Sequence, residues 1–195
     1  MAKKYYVDEK GNVRKTKKQS KFPIVLIVIG ILMMLFAGGL YAYNTYVQAQ
    51  AEAAAREALE AMQSGEATEY NYIGTIEIPS VNINLPVIDS WDGDNDKLNT
   101  APCVFSGSVE EGNLIIMAHN YTAHFGRLEN TTVDSEVTLS LLDGRVFHYR
   151  VFEILEIDGS DAEAMQAGDW DLTLYTCNYS GQGRVTVRCK LVNAE

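Results

Sequence analysis

Residues 22–43, FPIVLIVIGILMMLFAGGLYAY, carry no charged side chain, and no other feature limits the fold of this chain so tightly. A helix needs about 20 apolar residues to cross a bilayer core, and this run supplies them. Lys21 is the last charge before it and Glu52 the first after it. A cleaved signal peptide would have a shorter apolar core, of about 7–15 residues, ending at a small-residue cleavage site. Here Tyr41, Tyr43 and Tyr46 follow instead, as in the aromatic belt of a membrane interface. The run reads as a retained single-pass anchor.

Charge sets its expected orientation. Before Phe22, eight basic residues (Lys3, Lys4, Lys10, Arg14, Lys15, Lys17, Lys18 and Lys21) face only Asp8 and Glu9. That segment is net +6, and because the whole chain is −10 the remainder carries −16. The positive-inside rule keeps the basic end cytoplasmic and puts the acidic body outside the cell. A body this acidic does not hold nucleic acid, because phosphate binding needs clustered Lys and Arg.

The expected organisation has four parts. Residues 1–21 form a flexible basic cytoplasmic tail and 22–43 the membrane helix. Residues 44–69 form an extracellular helical stalk and linker. The stretch QAQAEAAAREALEAMQ, rich in helix formers, extends the helix until SGEATE at 64–69 breaks it. Residues 70–195 form one domain. There the apolar period changes to two: Ile76 and Ile78, then Val81, Ile83, Leu85 and Val87. Leu114–Ala118 is a short apolar run. Val137–Leu142 and Val146–Ile157 flank Asp143-Gly144, a hairpin turn signal. Thr173–Cys177 and Arg184–Val192 pair around 178–183, and Asp161–Ala167 reads as a short helix. Many short strands between turn signals indicate a mainly β barrel or sandwich.

Three cysteines are too few for a disulfide framework, and an odd number outside the cell leaves a thiol unpaired. Cys177 ends the strand TLYTC and opens a polar, glycine-containing loop, where a thiol can be exposed on a rigid support. The bland alternative, a small buried hydrophobe, suits Cys189, which is in phase with Val185, Val187 and Leu191. Cys103 follows Ala101-Pro102 in a loop, and a Cys103–Cys189 disulfide stays open. A free thiol has a pKa of about 8.5, so a nucleophilic one needs a neighbour that stabilises thiolate or protonates the leaving group. His119 ends the apolar strand LIIMA as Cys177 ends its own. His124, in the loop TAHFGRL, reads as solvated. His148 sits mid-strand in RVFHYRVF, where cross-strand packing is the expected role. Arg184 opens the return strand after Cys177, whereas Arg188 lies four residues, about 13 Å, further along. Arg184 is therefore the better partner. Asp92–Asp96 lacks the spacing of an EF-hand and reads as a solvated turn, so no metal and no cofactor are expected.

Together these segments resemble the sortase family. TLYTCNYSGQGRVTV is similar to the sortase TLxTC strand, its loop and the arginine that follows. LIIMAHN with HFGRL resembles the strand ending in the sortase histidine, although Ala118 stands where glycine is common. YIGTIEIPSVNINLPV resembles the opening strands. The resemblance spans Tyr72 to Leu191 and implies a closed sortase-like β-barrel with short helices. It implies a cysteine transpeptidase with Cys177 as nucleophile, His119 as general acid/base and Arg184 as oxyanion or substrate stabiliser. Tyr175, Thr176 and Ala118 would bind substrate. The substrate implied is an LPXTG-like sorting signal of a secreted surface or pilin protein. The acceptor implied is an amine of a peptidoglycan precursor or a pilin lysine. The short segment between Asp158 and Leu172 is unlike the subclass with a long helical insertion there. Two alternatives remain: a membrane-anchored non-catalytic binding module, and a thiol peptidase that does not transfer.

Overall fold

The computed structural model describes residues 5–15, 21–161, 164, 165 and 168–195. By internal contacts the chain forms two compact units, Met1–Asn44 and Thr45–Glu195.

In the first unit, strands β1 (Tyr5–Val7) and β2 (Val13–Lys15) pair antiparallel. The Asp8 carboxylate accepts from the backbone N–H of Lys10 and Asn12 and closes the turn. A local Asx turn thus gives structure to part of the tail expected to be flexible, because turn chemistry acts even in a strongly basic segment. Helix α1 (Phe22–Ser64) begins in this unit, and its N-terminal part is long and apolar enough to cross a membrane.

Helix α1 runs unbroken to Ser64, just before Gly65, which adopts a positive φ of 71°. Its residues from Thr45 onward belong to the second unit. Ala51, Ala55 and Ala58, spaced three and four apart, are buried there, and Ala55 joins the main core. Small side chains on one face let this stretch lie against the barrel, so the contact boundary falls at Asn44/Thr45 and not at the compositional break after Ser64.

The rest of the second unit is an eight-stranded closed barrel with short helices, as the alternating pattern predicts. Its strands are β3 (Tyr72–Ile78), β4 (Ile83–Ile88), β5 (Cys103–Ser106), β6 (Leu114–Met117), β7 (Glu136–Leu141), β8 (Val146–Asp158), β9 (Leu172–Cys177) and β10 (Gly183–Ala194). Around the barrel the order is β10-β8-β7-β3-β4-β5-β6-β9. The β7–β8 hairpin turns at Asp143-Gly144, and β9 pairs with β10 around the polar loop 178–183. Helix α2 (Asn95–Thr100) is capped by Asp94, and Asp92 pairs with Lys97 at 2.9 Å, so local structure engages the acidic turn. Of the segment expected to be helical at 161–167, residues 162, 163, 166 and 167 lie outside the described residues, and 164–165 form a turn.

Strand alternation sorts the barrel wall into two faces. Ile76, Ile78, Leu85, Val87, Ile116, Leu139, Leu174 and Val187 fill the interior. On the outer face Ile88, Leu98, Cys103, Ile115, Met117, Ile157, Met165 and Tyr175 make a second cluster. Truncating a buried leucine such as Leu174 to alanine costs about 2–5 kcal/mol. This two-sided packing holds β6, β9 and β10 rigid where their ends meet.

Candidate active site at the ends of three adjacent strands

Strands β6, β9 and β10 are neighbours in the wall. In the antiparallel β9–β10 ladder Arg184 lies opposite Cys177. In the parallel β6–β9 ladder Met117 is level with Tyr175; β6 ends there, and His119 follows two residues on. The Ala118 N–H donates to the Tyr175 carbonyl, extending that register past the strand end. Alternation turns Tyr175 and Cys177 to the outer face with Met117, while Leu174 and Ile116 face inward. The topology therefore brings a thiol and a guanidinium together on one face, at the end of the wall where His119 follows β6.

Cys177 is half-buried, whereas Cys103 and Cys189 are completely buried, and all three are free thiols. Cys103 belongs to the outer cluster and Cys189 to the interior, so they do not pair. Burial pushes the Cys103 thiol up to about 12 and raises that of Cys189 further. Neither forms thiolate near neutral pH.

Arg184 makes no ion pair among the described residues. Its Nη1 donates to the carbonyls of Gly181 and Gly183, at 3.2 and 3.1 Å. Arg188 is occupied differently. It pairs with Glu153 at 2.6 Å, donates to the Ala164 carbonyl at 2.8 Å and lies 3.9 Å over the Trp170 ring. That network ties β10 to β8 and to the segment before β9. The loop between Cys177 and Arg184 is closed by Asn178, whose backbone N–H donates to the Gly183 carbonyl and whose Oδ1 accepts from the Gly183 N–H. A Cβ at position 183 would sit 2.6 Å from the Glu156 carboxylate and 2.8 Å from Asn178 Nδ2, so a larger residue there must displace those side chains.

His119 is partly exposed, and burial holds its pKa below the ordinary histidine value. Its imidazole is thus mainly neutral at neutral pH. His148 makes the expected cross-strand contact, with Nδ1 3.3 Å from Thr138 Oγ1. His124 departs from expectation: it is fully buried, not solvated. The backbone of Ala51 in α1 and of Thr100 in α2 lies against its ring. Polar flanking residues do not reveal that two helices cover this loop. Burial drives the His124 pKa down to about 4, with neighbouring His119 adding to the effect.

Of the residues expected to bind substrate, only Tyr175 is on the outer face. It is largely buried, donates to Met117 Sδ at 3.1 Å and packs edge-on against Phe105, which stacks on Trp91. Thr176 and Ala118 have the opposite parity. Both are buried, and Thr176 Oγ1 donates to the Ala118 carbonyl at 2.8 Å. They lock the register of β6 and β9 instead of presenting a surface. Phe105 and Trp91 carry no signal in a single sequence; only the fold brings them beside Tyr175.

A cleft of about 490 Å³ lies between α1 and the His124 loop, lined in part by Gln48, Glu52, Asn82, Thr122 and Arg127. Another of about 350 Å³ includes Leu114, at the opposite end of β6 from His119. Among the described residues no cluster of His, Cys, Asp and Glu could hold a metal ion.

Comparison with known proteins agrees with this architecture. A family model described as Sortase domain matches residues 76–192, more than half of the chain. Among solved structures, a sortase D5 transpeptidase of Clostridium perfringens aligns with a TM-score of 0.58 and 20% identity, over 74% of this chain and 99% of that one. Sortase C of Streptococcus pneumoniae gives 0.56 and 23%, over 65% and 69%. Sortase A of Listeria monocytogenes gives 0.56 and 20%, over 64% and 89%. No curated protein sequence matches. These likenesses are of fold, and with the family model matched over residues 76–192, more than half of the chain, the chain belongs to the sortase family.

Proposed function

We propose that this sortase is a membrane-anchored transpeptidase that cleaves an LPXTG-like sorting signal and joins the released chain to an amine. The observation that carries the reading is the direct pairing of Cys177 with Arg184 on β9 and β10, with His119 two residues past the end of neighbouring β6.

The chemistry follows from the three groups. Cys177 Sγ attacks the carbonyl carbon of the signal threonine, and the carbonyl oxygen takes the negative charge. Arg184 donates to two backbone carbonyls, makes no ion pair among the described residues and supplies positive charge to that oxygen. Neutral His119 accepts the Cys177 thiol proton as Sγ attacks; the imidazolium then protonates the departing glycine amine, the C–N bond breaks, and a thioacyl enzyme with neutral His119 remains. An acceptor amine then attacks the thioester, loses a proton to His119, and expels the Cys177 thiolate with a new amide formed. The acceptor is the amine of a peptidoglycan precursor or a pilin lysine. The apolar part of α1 is the anchor, residues 1–21 remain cytoplasmic and the barrel lies outside. Tethering enzyme and substrate to one surface raises their effective concentration.

The test is mass spectrometry of the full chain in detergent micelles, incubated with an LPXTG peptide. The reading expects an acyl adduct of the N-terminal fragment on Cys177, and its transfer when hydroxylamine is added. Hydrolysis unaffected by the amine would make the protein a peptidase only. Absence of both cleavage and adduct would leave a binding module.

A further inference from the structure

A general acid must point one ring nitrogen at the group it protonates, and the terminal torsion of histidine is broad. A hydrogen bond from the other nitrogen commonly fixes it. Among the described residues no such bond holds His119, and burial is the sole influence on its proton affinity.

A ring occupies that place instead. The His119 and Tyr121 centroids are 4.7 Å apart with the planes inclined at 33°. On its far side Tyr121 meets His124 at 5.6 Å and 43°. His124 is fully buried, with the backbone of Ala51 and Thr100 against its ring. The loop backbone keeps the three rings in file. The N–H groups of His124 and Gly126 both donate to the Tyr121 carbonyl, at 2.9 and 2.8 Å, and Phe125 N–H donates to the His119 carbonyl. A Cβ at Gly126 would lie 2.5 Å from the Asn120 carbonyl oxygen and 2.7 Å from Tyr121 backbone atoms, so only glycine lets the loop close this tightly. Phe125 and Leu128, both fully buried, pin it to the barrel interior.

We infer that Tyr121 is a positioning residue for His119: its ring, in contact with buried His124, restricts the imidazole to one orientation for proton transfer. The inference rests on His119 acting as the acid/base. A stack of this kind biases the ring by about 3- to 10-fold over alternative orientations. It does so without the pull toward imidazolium that a carboxylate partner would exert. The Tyr121 ring also covers the imidazole and contributes to its desolvation.

The experiment compares Tyr121→Leu, Tyr121→Phe and His119→Gln in the full-length protein, with a quenched LPXTG peptide and hydroxylamine as acceptor. Tyr121→Leu should lower kcat by about 10- to 100-fold with KM within about twofold, as expected when a reacting group is misplaced. Tyr121→Phe, which keeps the ring, should restore most of the loss. Independently of turnover, the imidazole ¹⁵N signal of His119, identified by its disappearance in His119→Gln, should titrate at higher pH in Tyr121→Leu. If Tyr121→Leu does not fold, Tyr121→Met makes the same comparison. Unchanged kcat and unchanged His119 titration in the leucine variant would overturn the inference, as would a phenylalanine variant as impaired as the leucine one. If the unsubstituted protein ignores the peptide while the His119 signal still shifts, the acid/base reading fails and the stacking role stands.

Discussion

Arg184 and Cys177 are direct partners across the antiparallel β9–β10 ladder, so their side chains leave the same face of the barrel at the same level. The loop between them returns the chain with Asn178 bonded to Gly183 at its base. The guanidinium rests on two carbonyls of that loop, so only weak contacts must break for it to meet a developing oxyanion.

Arg184→Ala should therefore lower kcat by about 100- to 1000-fold, as loss of one oxyanion donor does, and leave thermal stability nearly unchanged. Arg188→Ala should do the reverse. Losing its contacts with Glu153, Ala164 and Trp170 should destabilise the fold by about 1–3 kcal/mol and lower kcat far less. Steady-state kinetics and thermal unfolding of both variants separate the two roles. Equal kinetic losses would reject the assignment of Arg184.

Thiol reactivity should be confined to one residue. A vinyl sulfone added at neutral pH should label the native protein once, on Cys177. Labelling should persist in Cys103→Ala and Cys189→Ala and vanish in Cys177→Ala. Burial removes the other two thiols from solvent and raises their pKa. Peptide mapping reads the result, and a second labelled site in the folded protein would contradict it.

His119→Ala should abolish transpeptidation, since general acid–base catalysis contributes about 100- to 10,000-fold. His148→Ala, which loses only the contact with Thr138, should keep its activity. Single-turnover measurement of thioacyl formation checks both. A fully active His119→Ala would remove the acid/base assignment.

His124 makes a prediction about pH and stability. Its folded pKa, about 4, is depressed below the ordinary 6.5, so the unfolded chain binds the proton first as pH falls. The stability due to neutral, buried His124 is complete above pH 6.5, declines as pH drops and is exhausted by about pH 4. The loss is at most about 3 kcal/mol. Glu52, Arg56 and Arg127 line the same cleft and His119 is its titratable neighbour, so the test is a difference. Urea unfolding of His124→Leu should show a flatter dependence than the parent between pH 7 and 4. Parallel curves would show that His124 does not carry the effect.

Local pattern and spacing were enough for the apolar helix, the Asp143-Gly144 turn, the hairpin around 178–183 and the burial of Cys189, but not for strand β5, which begins at Cys103 where a loop is expected. Each depends on residues adjacent in the chain or on a strand period of two, and both are written in one dimension. Arg184 was legible for the same reason, because a hairpin makes sequence neighbours into spatial ones. The adjacency of β6 and β9 was not, since it depends on a parallel ladder between segments 58 residues apart, which no local pattern encodes. The burial of His124 likewise arises where α1 and α2 cover a loop whose own residues look polar. Thr176 and Ala118 show the limit most plainly. The motif around them drew attention to their neighbourhood, but the face each side chain takes follows from strand parity and from what packs on either side of the wall, which only the closed barrel determines.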